Sequence, residues 1–419
     1  VIMIMKDAQI LIYLMKNNLN ILMIHQHYFP EMTGTGRRTR ELAEFFVKQG
    51  HIVTVITSFP REFRSMPNTH CETVEVLNSV SIFRIKTLFE VKNNVLFRMF
   101  SYLSFVIQSL KLAFKKSKEC DIIISIAPIS SGIIGAILQL ITKKHHHFDV
   151  PDILPDLGIS AGMINNKFII YILFKLEKWV YDHSNSISAI TYGQIENIHK
   201  KGVPHKKLSY IPDWIDDTFF RVNFKHYKNE VAQALDFPNK KLISFVGNIG
   251  ALQNPEIFLE IMGSFAEEEY DEFQFLFIGD GIMLPILKEK AKNVGIKNVT
   301  FLGRVKREHI PAYMNSSDIL VANYLPNEYM DICIPGKLFE YAVSRKPIVM
   351  GARLEAKNLI EKYNLGMAVP PSDVIGFKKA IINITNGTYK FKPDLDKFVK
   401  DFSLPRVIDS YNDIFSQIN

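Results

Sequence analysis

Residues 21–60 read ILMIHQHYFP EMTGTGRRTR ELAEFFVKQG HIVTVITSFP, and they carry the signature of a parallel sheet. Ile21-Leu22-Met23-Ile24 is an apolar run of strand length. The glycine-bearing segment Gly34-Thr35-Gly36 precedes a helical pattern through Glu41-Leu42-Ala43-Glu44-Phe45-Phe46, and Gly50 stands where a C-cap glycine ends a helix. Ile52-Val53-Thr54-Val55-Ile56 then gives the next strand. Strand, turn, helix, strand is a βαβ unit, whose right-handed crossover makes the two strands parallel.

Outward from this unit the scheme repeats. Further strands are expected at Ile122–Ile126, around Phe148–Val150 and at Ser186–Ala189. Pro212-Asp213-Trp214-Ile215-Asp216 closes this half, and a polar stretch from Asp217 to Asn239 leads to a second one. There Leu242–Val246 is a strand, Gly247-Asn248-Ile249-Gly250 a turn and Pro255–Met262 a helix. Strands at Phe275–Ile278, Val299–Leu302, Ile319–Ala322 and Pro347–Met350 complete a second sheet. The expectation is an α/β chain of two Rossmann-like, doubly wound domains facing a central cleft, with ligands at the C-terminal strand edges. The expected divisions are an extension over 1–14, an N-terminal domain over 15–217, a C-terminal domain over 218–398, and a C-terminal helix over 399–419 that packs back on the first domain.

The bulk composition agrees. A chain of 419 residues is too long for one core, and 47% hydrophobic with 22% charged residues is a globular balance. The formal charge of +7 points to anionic partners. Cys71, Cys120 and Cys333 are far apart, with no CxxC spacing, which indicates neither a disulfide framework nor a zinc site and fits a reducing cytoplasm. The first fourteen residues are too short and too interrupted for a membrane span and lack a signal-peptide cleavage site. Met15-Lys16-Asn17-Asn18 reads as a natural start. No later stretch has the uninterrupted apolar length of a transmembrane helix.

Three segments carry chemistry. In Gly34-Thr35-Gly36-Arg37-Arg38, glycines before a helix let backbone N–H groups approach a phosphate, with the arginines adding positive potential. Thr39 replaces the third glycine of a dinucleotide fingerprint, which disfavours a nicotinamide enzyme. In Asp152-Ile153-Leu154-Pro155-Asp156, the two carboxylates follow a strand and are placed to bind an acceptor's hydroxyls or take a proton; a bland alternative makes Asp156 a helix cap. In Pro335-Gly336-Lys337-Leu338-Phe339-Glu340, a turn opens a helix whose N–H groups and Lys337 aim at a diphosphate. Glu340, nearly on the same face, would accept from ribose hydroxyls. The bland alternative is an exposed Lys337–Glu340 helical pair.

This last segment resembles the P-x-K-L-x-E-Y-x-A-x-x-K-P motif of family 4 glycosyltransferases, particularly those that build bacterial surface polysaccharides; Val343 departs from it. The resemblance extends in order through His27-Tyr28-Phe29-Pro30-Glu31, Gly50-His51, Thr57-Ser58-Phe59-Pro60, Asp152–Asp156, Ile211-Pro212-Asp213-Trp214, Gly247–Gly250, Gly279-Asp280-Gly281 and Phe301-Leu302-Gly303. It implies a GT-B fold and a retaining transfer from a nucleoside-diphosphate sugar held by the second half to an acceptor held by the first. The implied catalytic residues are Asp152, Lys337 and Glu340. The implied donor-binding set adds Gly34, Gly36, Gly247, Asn248, Gly250, Gln253, Gly279, Gly281, Arg304, Pro335 and Gly336, with the Gly34–Gly36 loop closing over the sugar. Arg37, Asp152 and Asp156 face the acceptor. No metal and no cofactor are expected, because the helix dipole and cations stabilise the departing diphosphate.

Asn248 and Gln253 stand where many members carry Arg and Lys, and Ile332 stands where many carry a glutamate; Asp331 and Glu328 are the nearest substitutes. The expected donor is a UDP-sugar, an N-acetylated hexose or deoxyhexose, and the expected acceptor is a glycan or lipid-linked. The alternatives are a nucleotide-sugar epimerase of the same fold and a non-catalytic nucleotide-sugar or membrane-binding module. Leu88–Lys116 and Phe168–Val180 mix aromatic and basic residues in a way that suits an anionic membrane surface, so the chain is expected to be peripheral at the inner face of the plasma membrane. No nucleic-acid recognition element is present. His145-His146-His147 is expected to be a basic strand edge.

Overall fold

The computed structural model describes residues 18–31, 34–60, 72–87, 95–215, 237, 239–265 and 271–418. The N-terminal extension, Thr33 and most of the stretch between the halves lie outside these. The chain divides into two compact units. One comprises residues up to Ile190, Gln194–Ile211 and Ser410–Asn419; the other comprises Thr191–Gly193 and Pro212–Asp409.

The first unit contains an eight-stranded sheet. Its strands are β1 (Asn20–Ile24), β2 (Ile52–Ser58), β3 (Glu72–Leu77), β4 (Val80–Ile85), β5 (Ile122–Ile126), β6 (His145–Val150), β7 (Ser186–Ala189) and β8 (Leu208–Tyr210). Their spatial order is β3-β4-β2-β1-β5-β6-β7-β8. All neighbours run parallel except β3 and β4, an antiparallel pair. The helices are α1 (Gly34–Lys48), α2 (Val95–Ser117), α3 (Ile129–Thr142), α4 (Asp156–Ser160), α5 (Lys167–Asp182) and α6 (Tyr192–Lys200). The connection β1–α1–β2 moves one way across the sheet, while those through α2, α3 and α5 move the other way. Right-handed crossovers therefore place α1 on one face and α2, α3 and α5 together on the opposite one. The strands are short and branched because both faces are covered: every residue of β5, IIISI, is buried. Strands β5 and β7 have the ends read from sequence, and Gly50 takes φ +95° at the end of α1, a left-handed conformation that glycine adopts without strain.

The triple histidine corrects an expectation. His145-His146-His147 lies in β6, between β5 and β7, not at an edge. His146 and His147 are fully buried. Burial lowers their pKa values, to about 3 for His146 and about 4 for His147, so both are neutral at pH 7. Their nitrogens meet serine hydroxyls: His146 Nε2 to Ser125 Oγ at 2.6 Å, and His147 to Ser186 and Ser188 at 2.9 and 3.0 Å.

The second unit has six parallel strands: β9 (Lys241–Val246), β10 (Phe273–Ile278), β11 (Val299–Gly303), β12 (Ile319–Asn323), β13 (Ile348–Gly351) and β14 (Gly366–Val369), in the order β11-β10-β9-β12-β13-β14. Its helices are α7 (Ile257–Gly263), α8 (Leu284–Val294), α9 (Ile310–Ser316), α10 (Glu328–Asp331), α11 (Gly336–Val343), α12 (Leu354–Lys362), α13 (Val374–Thr385), α14 (Leu395–Phe402) and α15 (Leu404–Phe415). Alternation along β9 builds a core on each face. Leu242 and Val246 join Leu338 and Tyr341 of α11 on one side, while Ile243 and Phe245 join Phe258, Phe277 and Phe377 on the other.

The boundary expected at 398/399 falls inside α14, and the tail is two helices, not one. The end of α15 belongs to the first unit. There Tyr411 and Phe415 meet Phe46 of α1 edge to face, with ring centroids 5.3 and 5.4 Å apart, and Tyr411 meets His147 at 5.7 Å.

Candidate functional site

In the second unit the C-terminal ends of β9 and β10 turn tightly against each other. Gly247 has φ +125° and Gly279 φ +140°. A Cβ on Gly279 would lie 1.9 Å from Gly247 O, and one on Gly281 2.3 Å from Ile249 O. The turns are also joined by backbone bonds, Gly247 N to Ile278 O at 2.8 Å and Ile249 N to Asp280 O at 2.9 Å. The glycines at 247, 279 and 281 thus let two backbone turns approach closely. We expect Gly279→Ala to destabilise the protein by about 2–4 kcal/mol, through backbone strain plus overlap. An unchanged denaturation midpoint would contradict this packing. Gly250 donates its N–H to Gln253 Oε1 at 3.1 Å, so Gln253 closes a short 3-10 turn, while Asn248 is exposed.

Beside these turns stands the start of α11. Pro335 is its N-cap, with φ −68°, and no side chain caps its first turn. Gly336 is exposed. Tyr341, buried in the core, holds this helix to β9: its hydroxyl donates to Val246 O at 2.9 Å and accepts from Val246 N at 2.8 Å. The helix start is thereby fixed relative to Gly247. The sequence reading assigned Tyr341 no role; its place in the P-x-K-L-x-E-Y motif was the available signal.

Lys337 does not form the exposed helical pair of the bland alternative. Its stem is partly exposed, but its ammonium is buried and has no hydrogen-bond partner among the described residues. It lies 4.0 Å from the centroid of the Phe245 ring. Phe245 belongs to the opposite face of the sheet, so the side chain passes the end of β9 beside Gly247, where a Cβ would be 3.4 Å from its Cε and Nζ. Desolvation pushes the Lys337 pKa down to about 7, with Glu340 opposing the shift. Glu340 is half-buried and pairs with Arg307 at 3.5 Å. Arg307, in the turn after β11, is a charged neighbour that sequence reasoning passed over. Arg304, in the same loop, is exposed.

The substitutes for the glutamate replaced by Ile332 have other surroundings. Asp331 makes two contacts of 2.8 Å with Arg353, and Glu328 is exposed. A small hollow borders Asp331, Cys333, Pro335 and Arg353 at the ends of β12 and β13.

In the first unit, Gly34 and Gly36 form the opening turn of α1 and Gly36 is buried. They are therefore helix, not a free loop. Arg37 lies 3.8 Å from Glu41 on the same helix. Arg38 adds no free positive potential: it is buried, its Nε donates to Asp149 Oδ2 at 2.8 Å, and Nη2 donates to Ile211 O at 3.2 Å. Asp152 is exposed just beyond β6. Asp156 is committed to structure: Lys201 Nζ lies 2.5 Å from its carboxylate and 2.8 Å from Glu177. Burial raises the Glu177 pKa to about 7 in spite of Lys201.

Comparison with known proteins places this geometry. The family described as Glycosyltransferase Family 4 matches residues 32–219, and Glycosyl transferases group 1 matches 240–386. The chain is 23% identical over 382 residues, 87% of its length and 92% of the relative's, to the Escherichia coli K12 protein named as the colanic acid biosynthesis glycosyl transferase WcaI. It is 24% identical over 196 residues to an undecaprenol-linked glycan α-1,4-N-acetyl-D-galactosaminyltransferase of Campylobacter jejuni, covering 46% of this chain and 53% of that one. Among solved structures, sucrose-phosphate synthase of Thermosynechococcus elongatus superposes with a TM-score of 0.75 at 16% identity, covering 96% of this chain and 99% of that one. Anabaena HepE in complex with UDP and glucose gives 0.71 at 14% identity, with coverage of 95% and 100%. Two parallel-sheet units, each matched in turn by a glycosyltransferase family, lead to one conclusion: the chain is a GT-B glycosyltransferase of the family 4 type.

Proposed function

We propose that the protein is a retaining glycosyltransferase of surface-polysaccharide synthesis. It moves an N-acetylated hexose or deoxyhexose from a UDP-sugar to a lipid-linked or oligosaccharide acceptor at the inner face of the plasma membrane. The observation that carries the reading is the buried Lys337 ammonium, without a hydrogen-bond partner among the described residues, beside the uncapped start of α11. An unpaired buried charge is costly, and a bound diphosphate would relieve that cost. Backbone N–H groups at Gly336 and Lys337 would share the leaving group's charge, so no resident metal is invoked. Glu340 would exchange Arg307 for the ribose hydroxyls, leaving Arg307 near the phosphates. Asp152 and Arg37 remain the acceptor-side candidates. The relatives support this reading: HepE was solved with UDP and with UDP-glucose, and the Campylobacter enzyme acts on an undecaprenol-linked glycan.

Thermal-shift measurement with UDP tests it. At a UDP concentration of about 100 times Kd, the fold should gain roughly 2.7 kcal/mol, and Glu340→Ala should lose most of that gain. Equal shifts in parent and variant would end the ribose assignment. Epimerised donor after incubation with UDP-sugars alone would favour an epimerase instead.

A further inference from the structure

More than half of the exposed large apolar side chains among the described residues lie on one layer, formed by α2, α3, α5 and the turn before α5. Along α2 the outward positions are Phe97, Phe100, Leu103 and Ile107, between 48% and 62% exposed, followed by Lys111, Phe114 and Lys115. Their spacing of three and four residues makes one stripe. On α5 the stripe is Phe168, Tyr171 and Ile172, 70%, 60% and 40% exposed, with Lys167 and Lys175 beside it. Between them α3 ends in exposed Leu140 and Ile141, then Lys143.

The net charge on this layer is positive. Neither α2 nor α3 contains an acidic residue. On α5, Glu177 is buried against Lys201, and Asp182 pairs with Lys178 at 3.1 Å. Glu119, just after α2, pairs with Lys116 at 3.2 Å. A soluble surface rarely gathers so many bulky apolar groups without a partner. A second copy of the chain would bring lysines against lysines, which disfavours a self-complementary contact. An anionic bilayer fits both properties at once: aromatic and aliphatic groups enter the headgroup–acyl boundary, and lysines meet lipid phosphates.

We infer that the outward face of α2, α3 and α5 is a docking surface for an anionic lipid bilayer. This deepens the proposed function, since a lipid-linked acceptor is presented at such a surface, but its evidence is separate from the donor site. Co-sedimentation of the full chain with phosphatidylcholine vesicles, with and without phosphatidylglycerol, tests it. Binding should require phosphatidylglycerol and weaken with added salt. The double variant Phe100→Ser/Phe168→Ser should lower partitioning by about tenfold or more, and Lys111→Glu/Lys115→Glu likewise. Both variants should keep the parent's UDP thermal shift, which separates failure here from failure of the donor assignment. Equal binding to both vesicle types, or unaltered binding in folded variants, would overturn the inference. So would a dimer in solution that these substitutions dissociate.

Discussion

Lys337→Met is expected to make the free protein more stable while lowering the transfer rate by roughly 10²–10³, the usual loss when one preorganised stabiliser of a leaving group is removed. Both effects have one source. In the free protein the ammonium is buried against Phe245, beside Gly247, with no hydrogen-bond partner among the described residues. A methionine of similar length fills that space without a charge to desolvate. The pH dependence follows from the lowered value of about 7. The unfolded chain keeps this lysine protonated up to its ordinary range, so between pH 7 and that range the unfolded state holds more protons. The parent's stability from this group therefore rises with pH across that window, and the penalty is full below it. Lys337→Met should remove this rise and show its largest gain in Tm near pH 6. Diphosphate binding draws the proton back, so UDP affinity should fall above pH 7 in the parent and stay flatter in the variant. Calorimetric titration at several pH values reads the affinities, and a parent and variant with identical pH profiles would contradict the account.

The second large effect concerns folding. Arg38→Leu is expected to cost about 3–5 kcal/mol in urea denaturation, because it leaves the Asp149 carboxylate buried and unpaired. Asp149 receives Arg38 Nε at 2.8 Å and the Ser188 hydroxyl at 2.7 Å, and both ion-pair partners are almost wholly inaccessible. Burial pushes the Asp149 carboxyl upward, but the charge and hydrogen bonds of Arg38, with His147 and Ser188, outweigh it and hold it below its ordinary value. This contribution is present above the usual carboxylate range and is lost as pH falls through the lowered value. Adding Asp149→Asn to Arg38→Leu should recover part of the loss, since it removes the orphaned charge. Strict additivity of the two substitutions would argue against direct coupling.

The architecture was readable wherever a strand is an uninterrupted branched run. Ile122–Ile126 was placed with its observed ends because burial on both faces leaves a nearly continuous isoleucine run; Ser186–Ala189, buried throughout although serine alternates with Ile187 and Ala189, was placed with its observed ends as well. The β3–β4 hairpin was missed: its visible outward residues, Val74 and Val76, are exposed, so alternation there does not distinguish core from surface. Strand β14, four residues opening on Gly366, gives too short a pattern to stand out. The histidines of β6 were misjudged because side-chain polarity suggests an edge, whereas serines on β5 and β7 satisfy them inside the sheet. At the candidate site, the uncapped helix and Lys337 were legible from the Pro-Gly-Lys order. The lysine's turn toward Phe245, Glu340's pairing with Arg307 and Asp156's pairing with Lys201 were not, since those partners are between 33 and 92 residues away along the chain.

The aromatic pair of Tyr411 and Phe415 bears on the order of events during synthesis. Phe46, His51 and His147 emerge early from the ribosome, yet the rings that cover them are translated after the whole second sheet. The first unit thus stays unfinished while the second is made, with an apolar seat left uncovered. Early release of the nascent polypeptide before residue 410 would strand that seat in water, which gives chaperones and proteases a mark by which to recognise incomplete copies.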